Sequence, residues 1–307
     1  MRNLGATGIA LACVMMTVTA GCTNGSPPSR ASAAPDPVAA KIPYGANNAA
    51  SGTFIHDGVT LYYETYGSGE PLLLVHGNGG SIGWLAAQID FFKTHRRVIV
   101  MDSRDQGRSS DSTGALTYEK MTDDLAALLD HLNTGPVDVV GWSDGGIEAL
   151  LMGIRHPDKV KKLVAMAANL NPKTLYPEMD KLVRDMIASA PTAAKMTVEQ
   201  RRETRVTTIM LTEPNIDLAM LNKVTAPTLI LSGDHDLVRL DHTIAIYEAL
   251  PNAELAVLPN STHMAPYDNP QMFNATVERF LQTPFKKKDR IPDTMNSYER
   301  IMAGVSK

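Results

Sequence analysis

The stretch with the most chemistry in it is Gly141-Trp142-Ser143-Asp144-Gly145, a G-x-S-x-G pattern. Val137, Val139 and Val140 before it are β-branched and apolar, as in a strand covered on both faces. Ile147 to Ile154 after it continues as an apolar helix. A serine on a tight strand-to-helix turn is pushed outward, with its hydroxyl exposed and a helix N-terminus behind it. Glycines flank it because side chains there would meet the neighbouring strand and helix. A serine hydroxyl is a weak nucleophile. It needs a base to take its proton, a group to orient that base, and donors for the oxyanion that its attack creates.

Residues able to complete such a set lie far along the chain. Gly233-Asp234-His235-Asp236 follows the apolar run Ala226 to Ser232, and Asn260-Ser261-Thr262-His263-Met264 follows the strand-like run Ala253 to Leu258. An imidazole titrates near neutral pH, which suits a proton acceptor. Upstream, His76-Gly77-Asn78-Gly79-Gly80 follows Pro71 to Val75, whose unbroken apolar character fits a central parallel strand.

Taken together, these motifs resemble those of the α/β-hydrolase superfamily of serine hydrolases, over roughly Thr53 to Leu281. The resemblance implies Ser143 as nucleophile, Asp236 as the acid, with Asp234 as the competing position, and His263 as base, in the Ser-Asp-His chain order of this fold. It implies an oxyanion hole from the backbone N–H groups of Asn78 and Asp144. Haloalkane dehalogenases use an Asn at the Asn78 position to hold halide, but their nucleophile is Asp, and Ser143 argues against that chemistry. The implied fold is α/β: a mostly parallel, doubly wound sheet with helices on both faces and a small helical cap inserted after the sixth strand. No cofactor and no metal is called for.

The superfamily leaves the bond open. D-x-R and G-W-S-x-G-G are compatible with esterases, lactonases, C–C bond hydrolases, perhydrolases and proline iminopeptidases. The last usually carry H-G-G-P-G-G, where this chain has HGNGG. The expectation is a serine hydrolase acting on an ester or lactone of a small, partly apolar substrate. The alternative of another class is a non-catalytic envelope binding protein on the same fold.

The elements that position these residues follow from periodicity. Thr53 to Tyr66 reads as a hairpin turning at Asp57-Gly58, and Ser81 to Phe92 as a helix with Trp84, Leu85, Ile89 and Phe92 on one side. Arg97 to Met101 is a strand. In the loop DSRDQGRSSD after it, Asp102 and Asp105 are expected to pair with Arg104 or Arg108. Thr117 caps a helix that runs to Leu132, and Lys162 to Ala167 is the sixth strand. Residues 169–223 lack strand-like runs and form the cap. Its methionines Met179, Met186, Met196, Met210 and Met220 pack its core or line a deformable pocket. Thr243 to Leu250 and Pro270 to Leu281 are helices.

The chain has 307 residues, 44% hydrophobic and 20% charged, with net charge -4, an ordinary globular composition that gives no reason to expect nucleic acid. Its two cysteines, Cys13 and Cys22, fall before the folded part. Arg2, the uncharged apolar run Gly5 to Ala20 and Thr19-Ala20-Gly21-Cys22 read as an export signal ending in a lipobox, with Cys22 as the lipidation site. Plain secretion with cleavage near Ala20 competes, because Thr19 stands where Leu is usual. The expected organisation is thus a signal over 1–22, a Ser/Pro/Ala/Gly/Asn-rich tether over 23–50, the hydrolase domain over 51–283 and a charged tail over 284–307. The protein is placed in the cell envelope, membrane-anchored, with a small-molecule substrate as partner.

Overall fold

The structure is a computed structural model, and it describes residues 43–305. The expected signal, most of the tether and Cys22 lie outside the described residues. Ile42–Lys307 form one compact unit.

Eight strands form one sheet in the order β1-β2-β4-β3-β5-β6-β7-β8. β1 (Ser51–His56) and β2 (Val59–Tyr66) form the hairpin, and β2 pairs antiparallel with β4 (Arg97–Met101). From β4 onward all neighbours are parallel: β3 (Pro71–Val75), β5 (Val137–Trp142), β6 (Val160–Met166), β7 (Thr228–His235) and β8 (Ala253–Thr262). The chain order changes direction at β3, so the loops after β3 and β5 splay apart at the carboxyl edge, where ligands bind in open parallel sheets.

Side chains alternate across a strand, and the core divides accordingly. Leu73, Val139, Leu163 and Ala165 face one cluster, with α2 (Tyr118–His131), α3 (Asp144–Arg155) and later α6 (Leu240–Ala249) covering it. Leu72, Leu74, Val140, Val164 and Met166 face the other, covered by α1 (Ala86–Phe92) and α8 (Pro270–Gln282). The Thr117 hydroxyl accepts the Lys120 N–H and caps α2.

Between β6 and β7 lie α4 (Pro177–Ser189) and α5 (Val198–Thr212), with short 3₁₀ turns at Pro172–Thr174, Ala193–Lys195 and Leu218–Lys223. These stand where the sequence predicts the helical cap. α5 opens with a full capping box between Thr197 and Gln200. α7 (Ala265–Asp268) follows β8, and α9 (Arg290–Val305) ends the chain.

Four expectations need correction. The segment before α1 is a 3₁₀ turn, Ile82–Leu85, in which Ile82 and Leu85 are buried and Trp84 is exposed. The tether stops short of residue 50: the N–H groups of Gly45 and Asn47 bind the two oxygens of buried Glu64, each at 2.8 Å, and the Tyr44 ring meets Tyr66 edge-on at 4.9 Å. The charged tail, in which the sequence allows only a weak amphipathic helix near Tyr298 to Met302, is for the most part a helix, α9, beginning at Arg290.

The fourth concerns the loop after β4. Asp102 and Asp105 bind backbone and serine groups rather than the side chains of the loop's own arginines. Asp102 accepts the N–H groups of Ile82 and Arg108, each at 2.8 Å. Asp105 accepts the Ser112 N–H and hydroxyl, and faces Arg205 of α5 at 3.3 Å. Arg104 instead makes a two-pronged pair with Asp124 of α2, at 2.6 and 2.7 Å, with both side chains fully buried. Arg104 also reaches Asp57 of the hairpin turn at 3.5 Å. The loop supplies the cation and a helix supplies the anion, which a local reading of the loop cannot see.

Candidate active site

β5 ends at Trp142 and α3 begins at Asp144, leaving Ser143 alone to turn the chain. Its backbone sits at φ 59°, ψ -117°, a conformation a non-glycine residue adopts only under constraint. The turn is tight enough that a Cβ on Gly141 would lie 1.8 Å from the Gly145 carbonyl oxygen, and one on Gly145 would lie 2.3 Å from the Val75 oxygen. Glycine at these two positions is a steric requirement.

The three dispersed side chains converge here. His263, directly after β8, places Nε2 2.9 Å from Ser143 Oγ. Its Nδ1 lies 2.7 Å from Asp236 Oδ1, and Asp236 follows β7. The Asp236 carboxylate accepts the N–H groups of Gly233 and Val238, each at 3.2 Å. Burial pushes this carboxyl up, but the imidazole bond and charge of His263 and the two amides outweigh it and hold it below its usual range. Asp234, the competing position, is exposed and does a different job. It accepts the Asn260 and Ser261 N–H groups at 2.9 Å each, and those amides, with His235, hold its carboxyl well below the ordinary value.

Asn78 and Asp144, the expected oxyanion donors, sit together beside Ser143, and their side chains are joined. Asn78 Nδ2 donates to Asp144 Oδ2 at 2.8 Å and to the Val206 carbonyl of α5 at 2.9 Å. Among the described residues neither backbone N–H is consumed by a hydrogen bond. His76 braces the loop: its Nε2 accepts the Ser103 N–H at 3.1 Å, so Nδ1 carries the proton and donates to the Gly77 carbonyl at 2.8 Å. Burial lowers the pKa of this imidazole and favours that neutral form.

Burial dominates the carboxyls beside and beneath Ser143. It lifts Asp144 to about 6, against the opposing bonds from Asn78 and Tyr118. It drives Glu148, one helical turn along α3, well above its ordinary range. Glu148 Oε2 is buried and has no hydrogen-bond partner among the described residues, which fits a protonated acid far better than a carboxylate.

The cavity beside Ser143 and His263 is lined on its apolar side by Leu175, Met179, Met210 and Leu237, and on its polar side by Tyr118, Asp144, Asn169 and Glu213. Its free space is about 20 Å³, little more than one water. Met179 and Met210 therefore line the pocket; Met186, Met196 and Met220 do not. Sequence reading missed two contributors. Tyr118 has no motif to mark it. Trp142 carried a signal in its own chemistry: a buried indole N–H must find an acceptor, and Trp142 Nε1 donates to the His263 carbonyl at 2.8 Å. Among the described residues no cluster of three or more His, Cys, Asp or Glu side chains is built to hold a metal ion.

Residues 70–210 match the sequence profile of the alpha/beta hydrolase fold. The chain is 28% identical over 258 residues to a protein named as a carbamate hydrolase, RutD, of Caulobacter sp. (strain K31), covering 72% of this chain and 95% of the relative. It is 27% identical over 271 residues to 2-hydroxy-6-oxononadienedioate/2-hydroxy-6-oxononatrienedioate hydrolase of Burkholderia vietnamiensis, covering 74% and 93%. Among solved structures it resembles MGS-M2, an alpha/beta hydrolase enzyme from a deep-sea metagenome library, with TM-score 0.69 and 22% identity over 78% of this chain and all of the other. The matches identify the chain as one with the α/β-hydrolase fold, and the matched residues 70–210 include Ser143.

Proposed function

We propose that the protein is a serine hydrolase that cleaves an ester or lactone of a small, partly apolar substrate through an acyl-enzyme. One observation carries this reading: Ser143 Oγ, His263 and Asp236 form a continuous relay at 2.9 and 2.7 Å. The relatives named above support hydrolysis and differ in the bond they are named for.

Ser143 Oγ attacks the substrate carbonyl carbon while His263 Nε2 takes the hydroxyl proton. The electron pair of the C=O bond moves onto oxygen, which the N–H groups of Asn78 and Asp144 hold. Removing one such donor typically costs about 3 to 4 kcal/mol of transition-state stabilisation. Collapse of this intermediate expels the alcohol, which takes the proton from His263. Water then repeats the sequence on the acyl-enzyme: it loses a proton to His263, attacks the carbonyl and releases the acid as Ser143 regains its proton. Asp236 keeps the imidazole in the tautomer that can accept at Nε2, and stabilises the imidazolium. The apolar wall of Leu175, Met179, Met210 and Leu237 favours an apolar acyl or alcohol group.

The test is covalent labelling by a fluorophosphonate, followed by a panel of p-nitrophenyl esters of graded length, lactones and aminoacyl anilides. Label on Ser143 and ester or lactone turnover that Ser143→Ala abolishes support the proposal. Label on another residue, or tight binding across the panel with no turnover, ends it. We further propose export with lipidation at Cys22, tested by metabolic labelling with a fatty acid against Cys22→Ala.

A further inference from the structure

We propose that α9, with the lysine run that precedes it, docks the protein onto an anionic membrane surface, the helix lying in the plane of the lipid headgroups. The observations are independent of the catalytic reading.

α9 is amphipathic in sequence, and among the described residues its apolar side chains stay largely exposed. At 100° per residue, Ile291, Met295, Tyr298 and Ile301 fall within an arc of about 120°, the width of an apolar face made to be covered. Yet Ile291 is 72% exposed, Met295 48%, Tyr298 55% and Ile301 63%. From Arg290 to Gly304 every residue except Asp293 is exposed. A single helix of this length is marginal in water, and helices in folded proteins draw most of their stability from burying an apolar face. This face therefore needs a cover.

Charge selects the cover. Residues 284–307 carry six Lys/Arg (Lys286, Lys287, Lys288, Arg290, Arg300 and Lys307) against three Asp/Glu (Asp289, Asp293 and Glu299), a net +3 in a chain of net -4. Lys286, Lys287 and Lys288 stand together and exposed just before the helix. Lys287 Nζ also reaches the Pro251 carbonyl at 3.0 Å, which ties the basic run to the body of the protein. A basic cluster beside an amphipathic helix matches an anionic lipid surface in both of its properties: the headgroups attract the lysines, and the acyl boundary accepts the apolar arc. A second copy is the weaker occupant. The helix has 16 residues, little more than two heptads, short of the roughly three to four over which a coiled-coil repeat is recognised, and a second copy would set like charge against its basic run. Among the described residues no helix is long and apolar enough to cross a membrane, so the contact is with the surface.

The experiment is vesicle flotation of the compact unit 42–307, which leaves out the N-terminal segment and any lipid on it. Vesicles are phosphatidylcholine alone or phosphatidylcholine mixed with phosphatidylglycerol. The expected result is about tenfold more protein floating with the anionic vesicles, falling as salt is added. Ile291→Asp with Ile301→Asp should remove that excess, and Lys286→Gln, Lys287→Gln, Lys288→Gln together should remove the preference for anionic lipid. Both variants should keep the parent thermal midpoint and circular dichroism of the sheet, since the altered side chains are exposed. Equal flotation of parent and the Asp variant overturns the proposal, as does a parent that stays in the lipid-free fractions. A dimer by light scattering that the Asp variant dissolves, with no vesicle binding, overturns it in favour of a second copy.

Discussion

The indole N–H of Trp142 donates to the carbonyl oxygen of His263 at 2.8 Å, so the residue before Ser143, the proposed nucleophile, holds the loop that carries His263, the proposed base. β5 and β8 are separated by β6 and β7 in the sheet, and this bond spans the gap at the carboxyl edge. Trp142→Phe keeps the ring and deletes the donor. A neutral hydrogen bond of about 1 kcal/mol corresponds to about fivefold. The expected outcome is a fall in kcat of about five- to tenfold with KM near the parent value, while a fluorophosphonate still labels Ser143. A fall confined to KM would contradict this positioning role.

Asn78 ties three parts together: the loop after β3, Asp144 at the start of α3, and Val206 in α5 of the cap. Arg205, adjacent in α5, binds Ser112 and Gly114 in the loop after β4, and Arg202 pairs with Asp111. Asn78→Ala keeps the backbone N–H and removes only the ties. Loss of a hydrogen bond to a charged group, about 1.5 to 3 kcal/mol, predicts a kcat/KM lower by about tenfold to a hundredfold. Asn78→Asp should be worse, because it sets a carboxylate against Asp144 and a carbonyl. Steady-state kinetics of the two variants checks the order.

Asp144 makes stability depend on pH in a defined direction. Burial raises its folded-state value from the ordinary 3.8 to about 6. A carboxyl raised on folding contributes fully below its unfolded value, and that contribution is lost as pH rises through the folded one. Above about pH 6 the buried charge therefore costs up to about 3 kcal/mol. Asp144→Asn should gain much of this against urea near pH 8 and nothing near pH 3, closing the gap between about pH 4 and 6. Glu148→Gln, which copies a neutral acid, should leave the midpoint unchanged at neutral pH. Denaturation curves across pH decide both.

The Arg104–Asp124 pair is buried, two-pronged and linked to His56 Nδ1 at 2.7 Å from Asp124. Removing one partner leaves a charge buried alone. Asp124→Ala should cost about 3 to 5 kcal/mol, while replacing both partners with apolar residues of similar volume should cost far less. Equilibrium denaturation of the single and double variants tests whether the cost is an orphaned charge.

What could be read from the sequence was what local rules decide. Leu72 to Val75 announce a buried parallel strand by lacking alternation, and Val137, Val139 and Val140 by their β-branched apolar side chains. Ser143, Asp236 and His263 stand in turns whose order along the chain is a property of the fold. The partners of Arg104, the two ties of Asn78 and the small cavity were not legible. Each is set by where distant elements land after folding. The C-terminal helix was half legible: the apolar spacing near Tyr298 to Met302 allows a weak amphipathic helix, while the charges of Lys286 to Arg290 signalled a solvated tail and masked its start at Arg290.

The cap leaves the sheet after β6 and returns at β7, and these strands are hydrogen-bonded neighbours from Leu163 with Thr228 to Met166 with Leu231. The roof over the nucleophile is thus a cassette clipped between adjacent rungs of one ladder. Its outer turns can lengthen or shorten without moving the register of any strand, while the stretch at Val206 stays bound to Asn78 below, so the roof divides into a part free to vary and a part anchored to the floor.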